Sequence, residues 1–206
     1  MSEMILLSFE IVGTVAFAVS GALLGLEKQM DILGISILGL TTAVGGGVIR
    51  DLILGVTPPM TFRDPIYAFI AIGTSILVFI LARKRPLFHG KRYDAIMLLM
   101  DSIGLGVFTV IGINTAYSQD GNYNIFLLVF VGVVTGVGGG VIRDMMAGDR
   151  PYIFVKHFYA SASIIGAILC VMIWEYAGSL ASMFTGTAAI IILRLCAARF
   201  RWSLPK

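Results

Sequence analysis

The sequence predicts an all-α integral membrane protein with seven transmembrane helices, arranged as two inverted three-helix repeats followed by a seventh helix. Three observations carry that expectation. Hydrophobic residues make up 58% of the 206-residue chain and charged residues 13%, with a mean hydropathy of +0.93, whereas soluble domains carry about 25% charged residues. The string Gly-Gly-Gly-Val-Ile-Arg-Asp occurs twice, at Gly45–Asp51 and Gly138–Asp144, 93 residues apart. Lysines and arginines gather in alternate loops, as the positive-inside bias of membrane proteins requires.

Spanning ~30 Å of hydrocarbon takes about 20 apolar residues per helix, and seven runs supply them. The first, Met4–Leu26, follows Met1-Ser2-Glu3, which lacks the basic flank of a cleaved signal peptide, so it is expected to stay as a helix. Ile32–Val56 holds the first glycine triplet, and Pro65–Ala82 leads into a basic loop. Ala95–Ala116, Ile125–Gly148 and Phe154–Glu175 repeat the pattern, and Leu180–Ala198 stands alone. Residues 4–82 and 95–175 are therefore the expected repeats, 180–198 the seventh helix, and 1–206 a single transmembrane domain whose short loops leave no soluble unit.

The duplication extends beyond the seven-letter string. Gly39, Thr42 and Val44 recur as Gly132, Thr135 and Val137, giving ten identities in thirteen positions. Upstream, Glu10, Gly13, Phe17, Val19 and Gly21 fall on Asp101, Gly104, Phe108, Val110 and Gly112 at an offset of 91, and Tyr67-Ala68 matches Tyr159-Ala160. Three helices per repeat is an odd number, so the second repeat enters the membrane from the opposite side, as in many transport proteins.

With the N-terminus outside, the cytoplasmic side collects Lys28, Arg83, Lys84, Arg85, Lys91, Arg92, Arg150, Lys156, Arg199, Arg201 and Lys206, against Arg63 alone outside. Arg50, Arg143 and Arg194 lie too close to the membrane to count. Eleven against one places the C-terminus in the cytoplasm. The net charge of +3 thus reflects topology, and nucleic-acid binding, which needs a soluble basic face, is excluded. Tyr117, Tyr123, Trp174, Tyr176 and Trp202 sit toward the ends of runs, where they serve as interfacial anchors.

Glycine costs a helix interior roughly 1 kcal/mol relative to alanine, and an Arg-Asp pair is costly in hydrocarbon, so both features of the doubled motif need a reason. Gly39, Ala43 and Gly47, and likewise Gly132, Gly136 and Gly140, form small-residue ridges that let membrane helices approach closely. The additional glycines suggest that the second and fifth helices are broken at Gly45, Gly46, Gly47 and at Gly138, Gly139, Gly140, which the membrane tolerates where backbone lines a cavity. Arg50 and Asp51, as helix neighbours, are not expected to face each other. Their expected partners are Asp144 and Arg143 of the other repeat, or Glu10 and Asp101 on the first helices. The set reads either as a structural girdle of ion pairs or as a charged pore or gate, whose four carboxylates outnumber the two arginines and favour a cation.

Other chemistries find no support. The triplets end in Val-Ile-Arg-Asp and lack the Gly-Lys-Ser/Thr close of a phosphate loop. His89 and His157 stand apart, without metal-ligand spacing, and Cys170 and Cys196 fall inside apolar runs. No metal, no cofactor and no catalytic constellation is expected.

The doubled Gly-Gly-Gly-Val-Ile-Arg-Asp, the three-plus-three-plus-one helices and the basic loop after the third helix make the chain resemble the prokaryotic TRIC family of trimeric intracellular cation channels, from Met4 to about Ala198. That resemblance implies a homotrimer with one pore per protomer between the repeats. It also implies bends at Gly45–Gly47 and Gly138–Gly140, pore-side charges at Arg50, Asp51, Arg143 and Asp144, and passage of monovalent cations, K+ and also Na+. The expected location is the inner (plasma) membrane, with membrane lipid as a further partner. Animal members carry a lysine-bearing motif and are associated with a phosphoinositide; Arg-Asp in both repeats here departs from that pattern. Relatives have also been labelled glycine transporters, and inverted repeats fit a secondary carrier of a small solute equally well.

Overall fold

The described residues build eight helices: α1 (Glu3–Glu27), α2 (Ile32–Ile53), the short α3 (Met60–Arg63), α4 (Ile66–Lys84), α5 (Lys91–Tyr117), α6 (Ile125–Met146), the short α7 (Tyr152–Val155) and α8 (Ala160–Phe200). The computed structural model describes residues 3–84, 90–119, 124–155 and 158–202. Met1, Ser2, Arg85, His89, Tyr123, Lys156, His157 and Lys206, named above, lie outside them. The six longer helices are each long and apolar enough to cross a membrane. Neither short helix was expected; each is preceded by a proline, Pro59 or Pro151, and Pro59, the N-cap of α3, has extended backbone (ψ 147).

The 41-residue α8 carries non-helical backbone at Gly178 (φ 76, ψ 170), a conformation that glycine adopts without steric cost. Contacts on either side pair residues equidistant from that break. A Cβ at Gly186 would lie 3.0 Å from Cys170 Cβ, and one at Gly166 would lie 3.0 Å from the Gly186 carbonyl oxygen and run into Ile190. The helix therefore doubles back at Gly178 into residues 160–177 and 179–200.

The second helices of the two repeats match end for end. Asp31 caps α2 by accepting from the Gly34 N–H at 2.7 Å, and Asn124 caps α6 by accepting from the Leu127 N–H at 2.8 Å. Such caps satisfy donors that the first helical turn leaves open. Both helices end on a left-handed glycine, Gly55 (φ 74) and Gly148 (φ 75). The Val56 N–H then donates to the Asp51 carbonyl at 2.8 Å and the Asp149 N–H to the Asp144 carbonyl at 2.9 Å, the bond that defines a Schellman close.

Contact register establishes the inversion. Gly45 packs against Ile142, while Ile49 packs against Gly138, so α2 and α6 run antiparallel. Gly13 meets Phe108 and Gly104 meets Phe17, so α1 and α5 do too. The Phe17 and Phe108 rings stack at 5.3 Å between centroids. Of the two faces of the bundle, the one where α1 begins is called here the N-terminal face. The other, bearing Lys28, Arg83, Arg92, Arg150 and Arg199, is the basic face.

One expectation is corrected here. Neither triplet unwinds: α2 is helical through Gly45, Gly46 and Gly47, and α6 through Gly138, Gly139 and Gly140. No carbonyls are freed at these positions. The glycines instead admit the partner helix's backbone. A Cβ at Gly46 would collide with the Thr135 carbonyl oxygen, one at Gly139 with that of Thr42, and one at Gly138 would stand 3.2 Å from Gly46 Cα. Close van der Waals contact replaces the break, since apolar helices gain little from burial when lipid is the alternative.

This packing makes the glycines unequal. Gly46→Ala or Gly139→Ala should destabilise the protein by about 1–3 kcal/mol or more, because rigid backbone obstructs the added methyl. Gly47, whose nearest neighbour to an added Cβ is 3.8 Å away, should accept alanine with no loss. Thermal unfolding in detergent, followed by size-exclusion chromatography, measures the difference; equal effects at 46 and 47 would contradict this account.

Candidate functional site

Two carboxylates on the first helices, two Arg-Asp pairs on the second and two tyrosines on the third recur by repeat, yet the structure sets them in unlike surroundings. Arg50 and Asp51 do face each other. Arg50 donates through Nε to Asp51 Oδ1 at 2.8 Å, with Nη2 2.7 Å from the same oxygen. Arg143 does likewise to Asp144 Oδ1, at 2.8 and 2.7 Å. The rule that helix neighbours diverge describes Cβ directions and short side chains; the long arginine stem wraps far enough to overcome that divergence.

The expected pairing across repeats is absent among the described residues, for a geometric reason. The antiparallel helices cross at Gly46 and Gly139. Arg50 lies four residues past the crossing toward one face and Asp144 five residues toward the other, about 13 Å apart along the axes at 1.5 Å per residue. Each aspartate instead uses its second oxygen within its own repeat. Asp51 Oδ2 accepts the Met60 N–H at 2.8 Å, and Asp144 Oδ2 accepts the Tyr152 N–H at 2.8 Å. The Asp of each motif thus pins the short helix that follows it, a role that spacing alone did not reveal.

On the N-terminal face the set opens onto a cavity of about 420 Å³, lined among others by Glu10, Gly47, Arg50, Asp51, Asp64 and Tyr67. Three carboxylates against one guanidinium leave it formally acidic. Glu10 does not reach Arg50; it accepts a hydrogen bond from the Tyr67 hydroxyl.

On the basic face the counterparts are sealed. Asp101 Oδ1 binds Arg143 at 2.7 Å, the one carboxylate–arginine pairing between first and second helices that the sequence reading anticipated and the structure contains. Asp101 Oδ2 binds Arg194 Nη2 at 3.3 Å, and Arg143 also donates to the Ser20 hydroxyl. The Arg194 guanidinium stands 4.7 Å from the Tyr159 ring centroid and that of Arg143 stands 4.9 Å from Tyr152, distances suited to cation–π attraction. Arg143, Asp101 and Asp144 are fully buried, as is Asp51; the repeats differ at Arg50, which keeps 8% of its surface, and at Glu10, which is half-buried. Two arginines and two aspartates make the buried set formally neutral. Beyond it lies a second cavity of about 620 Å³, lined by Tyr93, Met97, Tyr152 and Arg194 among others.

Sequence reasoning set Arg194 aside and gave Tyr159 no role beyond marking the repeat. The available signal was an arginine inside an apolar run, which marks a functional position by default. Its partner on α5 was not legible, because the seventh helix has no repeat mate to align with.

The two faces should respond differently to neutralising their acids. Asp101→Asn strips a buried carboxylate from two guanidiniums and should cost about 3–5 kcal/mol. Glu10→Gln, half-buried and holding one hydroxyl, should cost no more than about 1 kcal/mol. Denaturant unfolding in detergent compares them, and similar losses would show that the two faces are not differently built.

Comparison with known proteins follows the same division into repeats. A family model described as Glycine transporter matches residues 7–83 and again 98–175. The UPF0126 inner membrane protein YadS of Escherichia coli strain K12 is 40% identical over 200 residues, covering 95% of this chain and 93% of its own length. A structure described as the structural basis for conductance through TRIC cation channels superposes at a TM-score of 0.84 with 36% identity, covering 100% of this chain and 97% of that one. The TRIC trimeric intracellular cation channel orthologue from Rhodobacter sphaeroides gives 0.88 at 30% identity, with coverage of 97% and 100%.

Proposed function

Because the chain belongs to the prokaryotic TRIC family, we propose that it is a passive monovalent cation channel of the inner membrane. Its pathway runs between the two inverted repeats, from the acidic cavity on the N-terminal face to the cavity on the basic face. Likeness to solved cation channels supports conduction. The excess of carboxylates around the first cavity supports cations over anions. The charge distribution supports an orientation with the N-terminal face outside and the C-terminus in the cytoplasm, and this reading has seven crossings with α8 counted as two. Three copies assemble in this reading, as the description of the Rhodobacter sphaeroides protein says of that channel, each copy carrying its own pore.

The family model's description and the solved structures point in different directions, one to a glycine carrier and the other to channels. One observation favours the channel. The seal on the basic face uses Arg194, which sits on the unrepeated second half of α8 and binds Asp101. A carrier needs two gates that close alternately, and in an inverted-repeat carrier each is the mirror of the other. No repeat counterpart of Arg194 exists for the N-terminal face, where Tyr67 is taken by Glu10. A gate on one side only suits a channel.

In this reading Asp101, Arg143, Arg194 and Tyr159 form the closed gate, and Glu10, Asp51 and Arg50 line the open vestibule. The glycine triplets shape the pathway by setting how closely α2 and α6 approach, without bending them apart. Opening requires Arg194 to leave Asp101 while Arg143 keeps Asp144.

Arg194→Gln keeps an amide donor on a shorter side chain and removes both the charge and the Nη2 contact to Asp101. A charged hydrogen bond contributes about 1.5–3 kcal/mol, so passive K+ flux into proteoliposomes should rise roughly ten-fold or more. Added glycine should change neither the wild-type nor the variant rate. Unchanged K+ flux in a correctly assembled Arg194→Gln protein, or glycine uptake that saturates, would count against the gate and the channel respectively.

A further inference from the structure

The residues that end α1 carry a device the gate itself does not require. Glu27 accepts a hydrogen bond from the Tyr93 hydroxyl at the start of α5. Next to it, Lys28 Nζ lies 2.5 Å from Asp149 Oδ1, just past the end of α6. Two adjacent residues of the first repeat thus hold two different helices of the second, across the rim of the basic face. Tyr93 and Met97 of α5 and Tyr152 beyond α6 line the cavity behind that rim.

Repeat symmetry shows that this arrangement is one-sided. At the offset of 91 that relates α1 to α5, the counterparts of Glu27 and Lys28 are Ser118 and Gln119; at the offset of 93 that relates α2 to α6, the counterpart of Asp149 is Val56. Ser118 donates its hydroxyl to the Asn114 carbonyl of its own helix at 2.8 Å. Ser118, Gln119 and Val56 all line the cavity of the N-terminal face. Glu27 and Tyr93 also line a cavity of about 660 Å³ on their own face; what the matching described positions of the N-terminal face lack is the bridge between repeats.

We propose that Glu27 and Lys28 form a two-pronged latch that keeps the mouth on the basic face shut by tying the end of α1 to α5 and α6. What flows when it releases rests on the channel reading; the latch itself concerns only whether that mouth opens. The Asp149 carboxylate, through its hydrogen bond, holds the Lys28 ammonium above its ordinary value, so this prong is charged at neutral pH. About a third of each side chain is exposed, 33% for Lys28 and 38% for Asp149. An ion pair so exposed is weak and screened by salt, which suits a contact that must break during opening.

Charge reversal tests the latch in two readouts. Lys28→Glu and Asp149→Lys, each reconstituted in planar bilayers, should raise open probability about two- to five-fold, the range an exposed ion pair supports, with unitary conductance unchanged. The double reversal should return it to the wild-type level. Tyr93→Phe, which removes the other prong without altering charge, should act in the same direction as the single reversals.

The second readout does not need conduction. A cysteine at Met97, which is 3% exposed, is placed in a chain with Cys170→Ala and Cys196→Ala and treated with a charged thiol reagent. Its labelling rate should follow the same pattern, faster in each single reversal and restored in the double. If labelling follows this pattern while no variant carries current, the channel reading fails and the latch stands. If the protein conducts but single reversals leave both readouts unmoved, or the double reversal does not restore them, the latch is overturned.

Discussion

Everything else in this fold depends on how closely α2 and α6 approach at Gly46 and Gly139. A Cβ on either glycine would enter the carbonyl of the opposite helix, so the crossing exists only while both positions lack side chains. Because the helices are antiparallel there, each Arg-Asp pair is carried past the crossing to its own face. Asp51 and Asp144 then fasten the short helices α3 and α7 through Met60 and Tyr152. The doubled motif is thus a single unit of structure: glycines set the approach, arginine neutralises the aspartate, and the aspartate holds the loop at the mouth.

Identical units in unlike surroundings produce the asymmetry on which the functional reading rests. Around Arg50 the neighbours leave a cavity, and one carboxylate suffices as its partner. Around Arg143 the same residue types are fully buried, and a buried guanidinium is tolerated only when paired and hydrogen-bonded, which Asp101, Asp144 and Ser20 accomplish. The difference traces to the second half of α8, which brings Arg194 against Asp101 on one face and has no mate for the other. An unrepeated helix appended to two inverted repeats is therefore the physical source of a one-sided seal.

Much of this architecture was legible in the sequence. The helices followed from apolar length, and the inversion from an odd number of helices per repeat, because both depend on patterns that one strand of text displays. Three things were not legible. Arg50 and Asp51 bond despite being neighbours, since side-chain reach is invisible to a rule about Cβ directions. The glycine triplets remain helical, because breaking a helix and admitting a neighbour's backbone call for the same residue, and only the neighbour decides between them. Arg194, Tyr159, Lys28 and Asp149 acquired roles through partners distant in sequence and, for Arg194, on a helix outside the repeat. The hairpin at Gly178 shows the converse: a glycine between two apolar runs, at a position requiring positive φ, falls where the runs themselves had separated.

The central claim is that an acidic vestibule and a single gate make this protein a passive cation pathway. Single-channel recording of the wild-type protein in a planar bilayer, under a KCl gradient and without glycine, tests it most directly. The account predicts discrete current steps that reverse near the K+ equilibrium potential. A silent bilayer from the same preparation that catalyses saturable glycine uptake in vesicles would contradict it.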